Sequence, residues 1–231
     1  MNASNQTGCG LPEDLRHYYL DAMGIQLWQS LQQPSAETVV RPASAEDVWQ
    51  RLEQAVSGCC KCELHQTRTQ TVFGVGDTNA DLLIIGEAPG RDEDLQGEPF
   101  VGRAGQLLNA MLAAIGFTRA QVYIANILKC RPPNNRDPRV EEAEACNPWL
   151  QQQVELIQPA AILALGRIAA HHLLNTEQSL ASLRGRQHQY AGIPLIVSYH
   201  PAYLLRKPVD KRKSWQDLKR VKSLLNDGHS I

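Results

Sequence analysis

Residues 81–90 read Asp-Leu-Leu-Ile-Ile-Gly-Glu-Ala-Pro-Gly, four consecutive large aliphatics running into a glycine- and proline-bearing turn. A run that is apolar at every position, rather than at every second one, suits a strand covered on both faces. The pattern recurs downstream. Residues 102–116 (GRAGQLLNAMLAAIG) carry an apolar helical stripe that stops at glycine, and 122–130 (VYIANILKC) form a second strand. Residues 141–157 (EEAEACNPWLQQQVELI) read as a helix, 160–166 (AAILALG) as a third strand, and 167–174 (RIAAHHLL) as a helix. A fourth strand, 194–201 (PLIVSYHP), precedes a last helix at 214–225. Strands separated by helices predict an α/β fold, a three-layer α/β/α domain around a central parallel four-stranded sheet. Ligands of such sheets bind outside the carboxyl ends of the strands. The distinctive residues fall there: Glu87 and Ala88, Asn126, and His200 before Pro201.

Toward the amino terminus, Ser44 and Asp47 form an N-cap signal for a helix carrying Val48, Leu52 and Val56 up to Gly58. Before it, residues 32–45 are rich in Gln, Pro, Ser and Ala and read as linker. The expected organisation is a tail, 1–43, and a domain, 44–231. With 43% hydrophobic residues in 231, the chain has ample material for a core, which excludes disorder throughout. The net charge of −1 gives no global signal for nucleic acid. Its distribution does: residues 1–50 hold two basic and six acidic side chains, leaving the basic excess to the domain. No apolar run approaches a membrane span, and MNASNQTGCGLPEDL lacks the features of a signal peptide, so a cytoplasmic protein with reduced thiols is expected.

Cys59 and Cys62 stand at CxxC spacing, with Cys130 and Cys146 far downstream. Four thiolates hold either a tetrahedral zinc or a [4Fe-4S] cube, and the wide second pair suits the cube at least as well. Cys60 offers an alternative to Cys59, and Cys9 lies in the tail as a bystander.

In order, CxxCxL, VFGVG, GEAPGRDEDLQGEPFVGRAGQLL, YIANILKCRPPNNRDP, LALG and HPAYLLR span residues 59–206. This set of blocks resembles the type 4, iron–sulfur uracil-DNA glycosylases. The resemblance implies an α/β/α fold, uracil-containing DNA as substrate, and a [4Fe-4S] cofactor on Cys59, Cys62, Cys130 and Cys146. It implies that His200 donates to uracil O2 as negative charge builds there, an oxyanion-hole role. Asn126 would pair with uracil O4 and N3–H, which distinguishes uracil from cytosine. Phe100 would stack on the everted base. Glu93 would crowd uracil C5 and reject thymine's methyl, and the backbone of Glu87 and Ala88 would contact base and water. Type 1 relatives carry an aspartate where Ala88 stands, which leaves Glu87 or Asn126 to position the water. Leu204 and Leu205 would wedge into the vacated stack, with Arg206, Lys207, Lys211, Arg212 and Lys213 on phosphates. Arg131 and Arg136 would add backbone contacts.

The segment Arg16–Trp28 lies outside those blocks. It resembles the short amino-terminal peptide of the psi subunit of the bacterial clamp loader, which implies docking of residues 13–31 on the DNA polymerase III clamp loader. Two other functions compete: a replisome adaptor with a vestigial site, and an iron–sulfur redox protein. Intact Glu87, Phe100, Asn126 and His200 argue against the first, and the implied base pocket against the second.

Overall fold

A computed structural model describes Leu20, residues 22–24 and residues 45–228. Contacts divide the chain into Met1–Pro42 and Ala43–Ile231, and the second unit carries the fold. Its helices are α1 (Ala45–Ser57), α2 (Arg91–Gln96), α3 (Arg103–Ala114), α4 (Val140–Ile157), α5 (Arg167–Leu174), α6 (Leu180–Leu183), α7 (Pro201–Arg206) and α8 (Lys211–Gly228). Its strands are β1 (Val75–Gly76), β2 (Leu82–Gly86), β3 (Tyr123–Asn126), β4 (Ala161–Leu165), β5 (Gln187–Tyr190) and β6 (Ile193–Ser198). Ser44 and the tail peptide lie outside the described residues.

The strand order is β1-β3-β2-β4-β6-β5. The four strands expected from the sequence form the parallel centre, in which Gly86 pairs with Asn126 and Leu165 with Ser198. The sheet nevertheless has six strands, because β1 and β5 add antiparallel edges. Neither edge has the apolar run that marks a covered strand: β1 is two residues long, and β5 is Gln-His-Gln-Tyr with alternate residues exposed.

Period-two geometry distributes the aliphatic run over both faces of the sheet. Leu83 and Ile85 join Leu150, Val154, Ile157, Ala169 and Ala170 under α4 and α5. Leu82 and Ile84 join Leu108, Leu112, Leu218, Val221 and Leu225 under α3 and α8. Each fully buried aliphatic contributes about 1.5–3 kcal/mol, so the centre of the sheet is fixed and its carboxyl ends are rigid mounts. In α1, Leu52 and Val56 pack with Phe73, whereas Val48 of the expected trio stays exposed. The acidic run Arg91–Asp94 is the short helix α2. Buried Asp94 accepts the Thr69 N–H at 2.9 Å and its hydroxyl at 2.8 Å.

Candidate active site

The carboxyl ends of β2, β3 and β6 open into a cavity of about 470 Å³. Glu87, Ala88, Glu93, Phe100, Asn126 and His200 all line it, so one pocket gathers every base-contacting residue expected from the sequence. Pro132, Asn135 and Arg136 from the loop after Cys130 complete one wall, and Arg206 another.

Asn126 ends β3 with only 2% of its surface exposed, and its Oδ1 has no hydrogen-bond partner among the described residues. An unpartnered buried carbonyl is costly, which marks a site waiting for a donor. Gly86 makes room for it: a Cβ there would lie 2.4 Å from that Oδ1 and 2.7 Å from the Phe100 ring.

His200 caps α7, its Nδ1 accepting the Ala202 N–H at 3.2 Å. With Nδ1 an acceptor, the neutral ring carries its proton on Nε2. Burial, with Arg206 adding to it, pushes the imidazole pKa down to about 4, so the ring is neutral at pH 7. The Phe100 ring stacks on it, centroids 5.4 Å apart and planes at 28°.

Burial, reinforced by Asp137 and opposed by Arg167, pushes the Glu87 carboxyl up to about 7. Asp137 and Arg167 are themselves paired at 2.9 Å. Glu93 has a function that the sequence did not suggest. Its Oε1 accepts the N–H groups of Val101 at 3.0 Å and Gly102 at 3.2 Å, bracing the loop that carries Phe100.

The described cysteines are free. Cys59 and Cys62 are among the neighbours whose charge bears on Cys130, and Cys130 and Cys62 among those that bear on Cys146. Arg68 Nη1 donates to Cys130 Sγ at 3.1 Å, the Lys129 N–H to Cys146 Sγ at 3.3 Å, and Trp149 Nε1 to Cys59 Sγ at 3.4 Å. Cys60 is exposed and turns to the Gly58 carbonyl at 3.5 Å. Among the described residues no three His, Cys, Asp or Glu side chains are grouped to hold one metal ion. Among the described residues, the buried Lys129 ammonium donates to two neutral oxygens, the Asn126 carbonyl at 3.1 Å and Gln153 Oε1 at 2.5 Å, with the Cys146 thiol near it. A cation so placed calls for a nearby anionic group.

The outer residues divide. Leu204 is 1% exposed and packs among Leu108, Leu112 and Leu218, which corrects the expectation that it inserts into DNA. In α7 it faces inward, because a short helix docked on α3 must bury one side. Leu205 is half-buried, and Arg206, Lys207, Lys211 and Arg212 are exposed. Lys213 pairs with Asp210 at 2.7 Å. Arg136, expected as a backbone contact, instead grips buried Glu142 with both terminal nitrogens, at 2.8 and 2.5 Å. Arg131 donates to Asn135 Oδ1 at 2.7 Å. No helix among the described residues is long and apolar enough to cross a membrane.

Comparison with known proteins gives the same direction. The family model of the uracil DNA glycosylase superfamily matches residues 73–219. The type-4 uracil-DNA glycosylase of Archaeoglobus fulgidus is 45% identical over 181 residues, covering 75% of this chain and 91% of the relative. That of Pyrobaculum aerophilum is 44% identical over 177 residues, 73% and 90% of the two chains. That of Sulfurisphaera tokodaii is 40% identical over 187 residues, 77% and 85%.

Proposed function

The chain belongs to the uracil-DNA glycosylase superfamily, among its type 4 members, and we propose that its rim pocket binds an everted deoxyuridine and releases uracil from DNA. The observation that carries this reading is the orphaned Oδ1 of Asn126 in the wall of a cavity with ample room for a base. Uracil N3–H supplies the missing donor, and the neutral His200 Nε2–H supplies one to O2. Phe100 offers the aromatic face. The C1′–N1 bond breaks with its electron pair moving onto uracil, where Nε2–H stabilises the O2 charge without giving up its proton. Water adds to C1′, and its proton passes to the Glu87 carboxylate. Glu93 borders the cavity where a C5 methyl is to be rejected.

Four thiols, three of which accept N–H donors, beside a buried lysine that donates to neutral oxygens, fit an anionic cluster better than neutral thiols. We assign a [4Fe-4S] cluster to Cys59, Cys62, Cys130 and Cys146. When bound, it supplies a covalent tie that holds the segment after α1, the loop after Cys130 and α4 together. That loop is also a wall of the pocket, so the tie orders the site.

Residues 44–231 are thus the catalytic domain, met by DNA at Leu205 and the exposed cations Arg206, Lys207, Lys211 and Arg212. Residues 13–31, outside the described set, are proposed to dock on the clamp loader. A synthetic tail peptide that fails to bind the purified clamp loader removes that part. Cysteines held by a cluster rather than paired in disulfides suit a cytoplasmic location.

The test is alkaline scission of a uracil-containing oligonucleotide after incubation with the parent, His200→Ala and Asn126→Ala. Scission by the parent and strong loss in both variants is expected. No scission by the parent rejects the activity; equal scission by all three rejects the site.

A further inference from the structure

Phe100, the residue that offers its ring to the base, has a backbone φ of +54°. A bulky residue in the left-handed region is strained, and it stays there only if its surroundings hold it. The groups that hold it are visible on both sides. On the carboxyl side, Glu93 Oε1 takes the N–H groups of Val101 and Gly102. The Arg119 guanidinium donates to the carbonyl of Pro99 through Nη2, on the amino side of Phe100, and at 3.3 Å through Nη1 to the carbonyl of Phe100 itself, which belongs to the peptide that follows. Arg119 sits in a short 3-10 turn, Arg119–Gln121, ahead of β3. It is not among the residues that line the cavity. Its side chain is 23% exposed, and Glu98 stands 3.9 Å away. Beneath the loop, Gly105 yields space: a Cβ there would lie 1.7 Å from the Phe100 carbonyl oxygen.

We propose that Arg119 is a positioning residue for base recognition, acting through Phe100. Its two donors fix the carbonyls of the two peptide units that flank the strained residue, while the Glu93 carboxylate fixes the amides of the two residues that follow it. The pair forms a clamp that keeps the aromatic face presented. A guanidinium is suited to this because its planar fork serves two carbonyls at once, whereas an ammonium is a single point of attachment. The effect on catalysis rests on the uracil-releasing function proposed above; the effect on the loop does not.

The experiment is a double-mutant cycle on the full chain with its cluster, using Arg119→Met, Arg119→Lys, Phe100→Leu and the two double variants. Three quantities are read: kcat/KM for uracil release, hydrogen–deuterium exchange of the 97–103 segment, and thermal midpoint. Arg119→Met should lower kcat/KM about tenfold in the parent, within what losing a base–aromatic stack costs, and less than about twofold in the Phe100→Leu background. Arg119→Lys should recover part of the loss. Exchange at 97–103 should quicken in Arg119→Met, whatever the activity. An equal loss in both backgrounds would show that Arg119 acts independently of Phe100 and overturn the proposal. So would unchanged exchange in a folded Arg119→Met protein. If Arg119→Met fails to fold, the lysine variant carries the same comparison. A parent without uracil release, combined with quickened exchange in the variant, overturns the function and leaves the clamp standing.

Discussion

His200 Nδ1 accepts the N–H of Ala202 two residues on, and this one bond leaves the proton of the neutral ring on Nε2. The arrangement has a pH signature. Burial pushes the folded pKa down to about 4 from an ordinary 6.5, so the unfolded chain binds more protons between those values. The stability contributed by the neutral ring is complete above pH 6.5 and is lost as pH falls toward 4. Thermal midpoints of the parent should drop through that window more steeply than those of His200→Gln. Parallel curves for the two proteins would mean that the imidazole titrates normally.

Glu87 acts in the opposite direction. Burial first, and Asp137 second, raise its carboxyl to about 7, with Arg167 pulling it down. If the carboxylate takes the water's proton, kcat/KM rises with pH through about 7 and levels off above it. Glu87→Gln should remove this limb along with most of the activity. Asp137→Asn should move the limb to lower pH, and Arg167→Ala should move it higher. A limb that stays fixed in both neighbours' variants would assign the titration to another group.

The orphan at Asn126 makes a trade between stability and function testable. Asn126→Leu conserves the side chain's approximate shape while deleting the unpartnered Oδ1. Losing an acceptor that only the substrate satisfies should lower kcat/KM by about ten- to a hundredfold. The substrate-free protein should unfold at the same temperature or higher, because about 1–3 kcal/mol of unsatisfied burial is relieved. A lower midpoint in the variant would make the amide a structural residue.

Part of this pocket is legible from strand geometry, and part of it, Phe100 and Glu93, only from the family resemblance. Glu87, Asn126 and His200 follow apolar runs, and parallel pairing of Gly86 with Asn126 brings the run ends together. Leu204 misled because the helical pitch of α7 decides which of two adjacent leucines faces the core, and HPAYLLR does not state where α3 lies. Arg119 and Glu93 were illegible as a clamp, since their shared target is the backbone of another segment. Backbone acceptors leave no mark in a sequence. The edge strands are silent in the sequence for the reason that makes them edges, the lack of an apolar run.

The two adjacent cysteines should separate cleanly. Cys59 receives the Trp149 indole N–H, while Cys60 lies exposed against the Gly58 carbonyl. Cys60→Ser should therefore retain iron and broad visible absorption, and Cys59→Ser should lose both. Zinc in place of iron in the purified parent would overturn the cluster assignment itself. Retention of iron by Cys59→Ser would transfer the ligand role to Cys60.

The neighbouring leucines should separate as well, along different axes. Leu204→Ala opens a hole under α3 and α8 and should cost about 2–5 kcal/mol of stability. Leu205→Ala leaves the core intact, so its effect should appear in catalysis, and more on duplex than on single-stranded uracil DNA. A wedge is useful only where a flipped base leaves a stacked gap. Lys211→Ala and Arg212→Ala, which remove exposed charges, should weaken binding regardless of sequence and each flatten the salt dependence by about one unit of slope. If Leu205→Ala impaired both substrates equally while the slope stayed fixed in the cation variants, the duplex would have to approach the pocket from its other wall, where Asn135 and Arg136 stand.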